Sequence, residues 1–430
     1  MSDVPRPVPP AQAAAWISLA RSVSRHSLFW LVAANSVGVL LAILLLWPAL
    51  GDKLAPFTYG RWIPLHLDWQ LYGWCSLPLV GVLLRWIGRG PNASTARLNR
   101  VALRAWSLAL AAAGISWLCG LSSGKIFIDW DGWARPLLPA AMTVLWLGLV
   151  WQFWTNRRAL KTLERLSQFG FLLLLLAVPP ALFWASGREV YPPVNPDSGG
   201  ATGASLLAST LGIIAIYGLI PLLLDVPART ADVRQRQSTF WTMYAISVAV
   251  YLVISHGHAS SKSASQQAGL GVLAMWIPLG WQHFHGYLWP SVARRWLVAA
   301  FFWWLLLVIS GFVFFLPGIS ERLKFTNGFV AHAHLALAGL VTCFNLAILN
   351  LLDPDRPITR GFHVWQGALG LHIVALAALG WTEYTDPSSL FLSRGWSQTC
   401  YGIRLVAGLV MWAVSLSWFL QRPRFLERNL

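Results

Sequence analysis

The sequence predicts an all-α, polytopic membrane protein of about twelve transmembrane helices. Its 430 residues are 56% hydrophobic and only 11% charged, whereas a soluble globular domain carries about a quarter charged residues. Runs such as 169–184 and 297–317 leave no polar face to present to water. Basic residues return at every second loop, as they do when a chain crosses a bilayer repeatedly.

A bilayer core takes about 20 apolar residues per helix. That length places spans near 29–50, 62–86, 102–121, 135–154, 168–187, 204–224, 237–257, 268–288, 296–316, 328–351, 362–382 and 400–420. Residues 1–28 precede them as a retained N-terminal segment, and residues 29–430 form one helical domain. The segment lacks the apolar core and small-residue cleavage site of a signal peptide, and residues 11–28 suit the membrane surface. No strong internal repeat is visible. The loop over 187–203, rich in Pro and Gly, is the longest irregular stretch.

Charge sets the orientation. Arg85, Arg89, Arg97, Arg100 and Arg104 follow the second span, and Arg157, Arg158, Lys161 and Arg165 the fourth. Arg229, Arg234 and Arg236 follow the sixth, Arg294 and Arg295 the eighth, Arg356 and Arg360 the tenth, and Arg422, Arg424 and Arg428 the last. The other loops carry acids such as Asp129, Asp131, Glu189, Asp197, Glu383 and Asp386. Both termini therefore read as cytoplasmic, and the setting as a bacterial inner membrane with lipid around it. A net charge of +16 distributed this way excludes a nucleic-acid-binding face. Cys75, Cys119, Cys343 and Cys400 are too few and too dispersed for a disulfide scaffold. The absence of C-x-x-C-H argues against covalent c-type haem.

Depth sorts the ten histidines. At about 1.5 Å of rise per residue, His66, His332 and His334 lie shallowly below the outer ends of the second and tenth spans, and His256 and His258 end the seventh. Five histidines from three distant helices at one depth point to haem or metal ligation, since intramembrane ionisable groups mark functional sites. Residues at i and i+2 point about 200° apart on a helix, so His332 and His334 would serve two centres flanking the tenth span. Unwinding at Gly257 would bring His256 and His258 onto one metal. His283, His285 and His363 fall near cytoplasmic ends, His283 and His285 reading as structural. His372 falls at mid-membrane, and His26 belongs to the N-terminal segment.

With those residues identified, FTNGFVAHAHLALAGLV resembles the tenth helix of the catalytic subunit of heme-copper oxidases. It is most similar to the C family (cbb-type cytochrome c oxidases) and the related nitric oxide reductases. The resemblance implies that His332 binds a high-spin haem and His334 a low-spin haem. YGRWIPLHLDWQLYGW resembles the second helix and makes His66 the other low-spin ligand. VISHGHASS resembles the seventh-helix pair that holds copper, or non-haem iron, opposite the high-spin haem, with His256 and His258 as its ligands. The implied cofactors are two haems of b type and that metal. Two departures stand out. Gly257 separates histidines that the family places side by side, and no His occupies 197–224, where a position near Ala201 would match the third metal ligand. Two protein ligands under-coordinate copper or iron.

Tyr244, Ser247, Tyr251, Ser255 and His258 keep one face of the seventh span. The line reads equally as a proton path through Tyr244, Ser247 and Ser255, with Tyr251 as the redox tyrosine of the resemblance, and as helix–helix hydrogen bonding. Most of the 27 Trp residues suit an interfacial belt. Arg322 and Lys324 suit haem propionates, and Asp68 suits ligand orientation or proton chemistry. The leading expectation is an oxidoreductase passing electrons from low-spin to high-spin haem to reduce dioxygen, with protons drawn from the cytoplasm. A separate cytochrome c or other donor subunit would supply the electrons. Nitric oxide reduction and a dihaem electron-transfer subunit lacking the non-haem metal are the alternatives. A transporter would show mid-membrane charges and broken helices, of which the spans hold few.

Overall fold

The computed structural model describes residues 10–229, 231–386, 388 and 395–421. Among these the chain is helical, with two isolated β-bridges, Val194 to Ala201 and Ala228 to Tyr287. Among the described residues eleven helices are long and apolar enough to cross a membrane. They are α1 (Pro10–Leu46), α2 (Tyr59–Arg89), α3 (Ala93–Leu118), α4 (Gly132–Ala159), α5 (Thr162–Ala185), α6 (Gly203–Leu223) and α7 (Val233–Ile254), then α9 (Ser291–Phe315), α10 (Asn327–Leu352), α11 (Phe362–Thr385) and α12 (Gly395–Leu420). The span expected over 268–288 is the exception. It is built from three pieces, Ala264–Gly271, a 3₁₀ turn Val272–Met275, and Trp276–His285, together α8. Pro278 has no N–H for the carbonyl four residues back, which breaks the ladder at that turn. Gln266 then ties the first piece down, its Nε2 donating to the Ile254 carbonyl and its Oε1 accepting from the Ala204 amide.

Residues 11–28 run without a break into the first span as part of α1. Arg422, Arg424 and Arg428 lie outside the described residues.

The chain divides into two compact units. The first comprises the described residues of Met1–Val190, Ile348–Ile358 and Trp412–Leu430. Its core holds Trp74, Trp117 and Trp130, all fully buried, with Trp117 edge-on to Trp130 at 5.3 Å. Between α3 and α4 the buried Asn99 Nδ2 donates to Gln152 Oε1 at 2.8 Å. Lys125, in the loop joining those helices, points its ammonium at the carbonyls of Ala185, Gly187 and Val190, so three acceptors at and after the end of α5 share one cation.

The second unit comprises Tyr191–Ala347 and the described residues of Thr359–Met411. Tyr217 stacks on Phe344 at 4.1 Å, and His283 stacks on Phe240 at 4.2 Å while its ring nitrogen Nε2 meets the Gly218 carbonyl at 2.9 Å. His283 is 1% exposed and serves packing. At one end of this unit the loops close on each other. The hydroxyls of Ser260 and Ser261 bond to Asp197, and Lys324 Nζ donates to the Ser198 carbonyl at 2.6 Å.

Candidate haem-ligand site

Among the described residues two of the spanning helices contain a π-helical segment, and in both it adjoins an expected haem ligand. In α2 a seven-residue π-helical segment, Trp69–Cys75, begins three residues after His66. In α10 the segment Leu335–Val341, also of seven residues, begins three residues after His332. π-Helical turns loosen the i→i−4 ladder and free carbonyls, and they concentrate at functional sites. The freed carbonyls are met in the same way in both helices. Ser76 Oγ donates to Leu71 O at 2.8 Å, and Thr342 Oγ1 to Leu337 O at 2.8 Å. Indole N–H groups reach the next carbonyls, Trp106 to Tyr72 at 2.9 Å and Trp365 to Ala338 at 3.3 Å.

The correspondence extends to the neighbouring helices. Gly73 and Gly339, each seven residues after its histidine, admit a tryptophan. A Cβ on Gly73 would lie 2.5 Å from Trp30, and one on Gly339 2.7 Å from Trp303. Trp30 Nε1 donates to Ser107 and Trp303 Nε1 to Gln366, each the residue after the capping indole. Eight residues beyond each tryptophan, Gly38 and Gly311 seat the imidazoles, whose Cε1 atoms would be 2.7 Å and 3.0 Å from an added Cβ. Thus α1–α2–α3 and α9–α10–α11 are structural repeats, and His66 and His332 are equivalent positions. The sequence showed no strong repeat because the matching residues are single positions scattered over three helices.

Ring hydrogen bonds then fix which nitrogen is left for a metal. Nδ1 of His66 donates to the Ala34 carbonyl at 2.8 Å. Nδ1 of His334 donates to Val330 O at 2.8 Å. Ser310 Oγ donates to Leu307 O at 3.1 Å and so accepts from His332 Nδ1 at 2.9 Å. Leu307 is the repeat equivalent of Ala34, so a serine hydroxyl is interposed where the first repeat bonds directly. A carbonyl accepts only, so each Nδ1 carries a proton, and Nε2 is the ring nitrogen that would bind iron. His26 Nδ1 is hydrogen-bonded to Ser107 Oγ at 2.7 Å, whereas His285 engages Nε2, with Arg229.

His332 lies against α9, among Ser310, Gly311 and Phe314. His334 faces α11, 4.6 Å from the buried ring of His372. The two therefore address different neighbours, as their spacing requires. Their helix is anchored by an acid that the charge pattern assigns to a loop. Glu383 is a buried member of α11, and its carboxylate accepts from Asn327 N at 2.6 Å and Asn327 Nδ2 at 2.7 Å. Its signal was a lone acid at the end of an apolar run, which charge alone cannot tell from a solvated loop residue.

His256 and His258 follow α7 and are exposed. His256 Nδ1 bonds to Leu252 O at 2.7 Å, and among the described residues no third His, Cys, Asp or Glu joins them as a metal-binding group. The hydroxyls of Ser247 in α7 and Ser255 just after it bond local carbonyls, Ser247 to Met243 O and Ser255 to Leu252 O. Among the described residues no side-chain hydrogen bond joins Tyr244, Ser247, Tyr251 and Ser255 to one another. Lys324 is taken by Ser198, and Arg322 lies 5.9 Å over Tyr384. Asp68 is fully buried in α2, with Asp129 and Tyr72 in its electrostatic surroundings. Burial raises the Asp129 carboxyl above the ordinary carboxylate range, against hydrogen bonds from Ser122, Gly124 and Lys125.

No family model and no curated protein matches the chain. Among solved structures, the chain is similar to a heme-copper terminal oxidase determined by cryo-electron microscopy as a dimer. The two are 14% identical, with a TM-score of 0.52, over 94% of this chain and 83% of that chain. The fold is thus that of a heme-copper terminal oxidase, and the chain is an integral membrane protein.

Proposed function

We propose that this chain is the haem-bearing subunit of a membrane oxidoreductase of terminal-oxidase type, with electrons passing from low-spin to high-spin haem to reduce dioxygen. The observation that carries the reading is the shared construction around His66 and His332, glycine seat, held Nδ1 and adjoining π-helical turn, within a terminal-oxidase fold. His66 and His334 are the low-spin ligands and His332 the high-spin ligand. When bound, haem supplies the redox chemistry, while the protein supplies ligands and orientation.

These imidazoles fit haem iron, because each holds its Nδ1–H in a hydrogen bond and would ligate through Nε2. The pair His256 and His258 gives a non-haem copper or iron only two protein donors, so no step is assigned to such a metal. That two-donor set favours one further reading, a dihaem electron-transfer subunit. In the oxidase reading Tyr251 is the redox tyrosine, and Tyr244, Ser247 and Ser255 lead protons from the cytoplasm. The basic even-numbered exits support cytoplasmic termini, the membrane in this reading is a bacterial inner membrane, and a separate subunit, a cytochrome c or another donor, delivers electrons.

Oxygen uptake by the purified chain, driven by ascorbate with a soluble mediator, tests the catalytic part. Uptake that disappears in His332→Ala supports it. Haem that is reduced by the mediator while oxygen uptake stays at the protein-free rate favours the electron-transfer reading, and uptake of nitric oxide alone identifies the other family chemistry. Ser310 gives a second test. Ser310→Ala leaves His332 Nδ1 without its acceptor, and loss of such a partner typically costs about 10–100-fold in metal affinity or activity. Haem retention during gel filtration should fall accordingly and recover in Ser310→Thr. Equal retention in all three proteins would remove Ser310 from the ligand's support.

A further inference from the structure

The basic end of α9 carries more cation than the described residues neutralise. Arg294 and Arg295 open this helix, and Arg229 donates to His285 Nε2 at 3.0 Å. His285 also lies in the field of Arg236 and Arg294. Among the described residues Arg236 pairs with Asp232 at 2.8 Å, but no carboxylate lies within ion-pair reach of Arg229, Arg294 or Arg295. Arg295 instead donates to the Thr359 carbonyl at 2.5 Å and lies over Phe362.

Directly beside this charge runs a groove of about 1110 Å³ between α9 and α11. Its mouth holds Arg294 and Arg295, and its walls include Val298, Phe302, Gly367 and Gly370. Val298 and Phe302 are about half exposed, at 46% and 54%. An added Cβ at Gly367 or at Gly370 would meet nothing within 4 Å, so the α11 wall is set back by two absent side chains. A second cavity of about 220 Å³ shares Trp289, Arg294 and Val298 with the groove and brings Arg229 and His285 to the same rim.

We propose that this groove binds an anionic phospholipid, its phosphate among Arg229, Arg294 and Arg295 and an acyl chain along the two glycines. Guanidinium groups bind phosphate oxygens in paired hydrogen bonds. The apolar walls lie on spanning helices, where hydrocarbon is the solvent, and a soluble anion would leave them unfilled. A neutral lipid would fill the walls but leave the three cations uncompensated.

The test is native mass spectrometry of the full chain in detergent, with phosphatidylglycerol or phosphatidylcholine of identical acyl chains added. Phosphatidylglycerol should be retained in preference. In Arg294→Gln/Arg295→Gln its retention should fall about thirtyfold, the effect of two interfacial arginines. Gly367→Leu/Gly370→Leu, which fills the groove while keeping every charge, should lower retention of both lipids. Thermal unfolding with inorganic phosphate separates the sources, since phosphate alone should give none of the stabilisation that phosphatidylglycerol gives. Equal retention of the two lipids, unchanged retention in either double variant, or stabilisation by phosphate equal to that by phosphatidylglycerol would each overturn the proposal.

Discussion

His332→Ala is expected to abolish the carbon monoxide difference band of the reduced protein, while His66→Ala removes a low-spin spectrum and leaves that band in place. In the proposed assignment each substitution removes one iron ligand, and because each imidazole sits on a glycine of the preceding helix it opens a small space without unfolding the span. The repeat makes the pair informative, because the two histidines share helix winding, glycine seat and ring hydrogen bonding, yet are assigned to different haems. Circular dichroism should show both variants as helical as the parent. A full carbon monoxide band in His332→Ala would move the high-spin site elsewhere, and an unchanged low-spin signal in His66→Ala would remove that residue from the ligand set.

Gly380→Ala should be the most damaging conservative change in the second unit. Its new Cβ would lie 2.1 Å from Gly328 N and 2.5 Å from Gly328 Cα, both backbone atoms. Backbone cannot rotate aside as a side chain can, so α10 must move away from α11. That movement pulls Asn327 from Glu383 and displaces His332 and His334, which follow within two turns. Overpacking costs about 1–3 kcal/mol and occasionally more, and here the upper end is expected. Gly402→Ala is the control. It lies in α12 with nothing within 4 Å of an added Cβ and should hold or slightly raise stability, since Ala is favoured over Gly inside a helix by about 1 kcal/mol. Thermal melting and haem retention should both fall in Gly380→Ala and in neither respect for Gly402→Ala. Equal melting of the two variants would mean that the close approach of α10 and α11 does not govern the site.

The spanning helices were legible because their signal is local, a run of apolar residues of bilayer length. The break in α8 was less so, since it depends on Pro278 and on how Gln266 bonds to two other helices. The histidines stood out by depth and spacing, and the structure seats His332 and His334 against different helices as that spacing demands. The π-helical turns were not legible. They are held by Trp106 and Trp365, which are distant in sequence, and nothing local to 69–75 or 335–341 announces them. Glu383 was read as a loop acid for the same reason, its partner being the amide of a helix more than fifty residues earlier. Ser310 carried no signal at all until the comparison with Ala34 showed a hydroxyl standing between a ring and a carbonyl.

The most direct test of the central claim is the haem content of the purified chain, by pyridine haemochrome against protein concentration, with copper and iron measured on the same sample. Two haems per chain are predicted, and copper beyond them would favour the oxidase over the electron-transfer reading. A folded, monodisperse preparation that binds no haem, even when supplied with it during expression, would contradict the account.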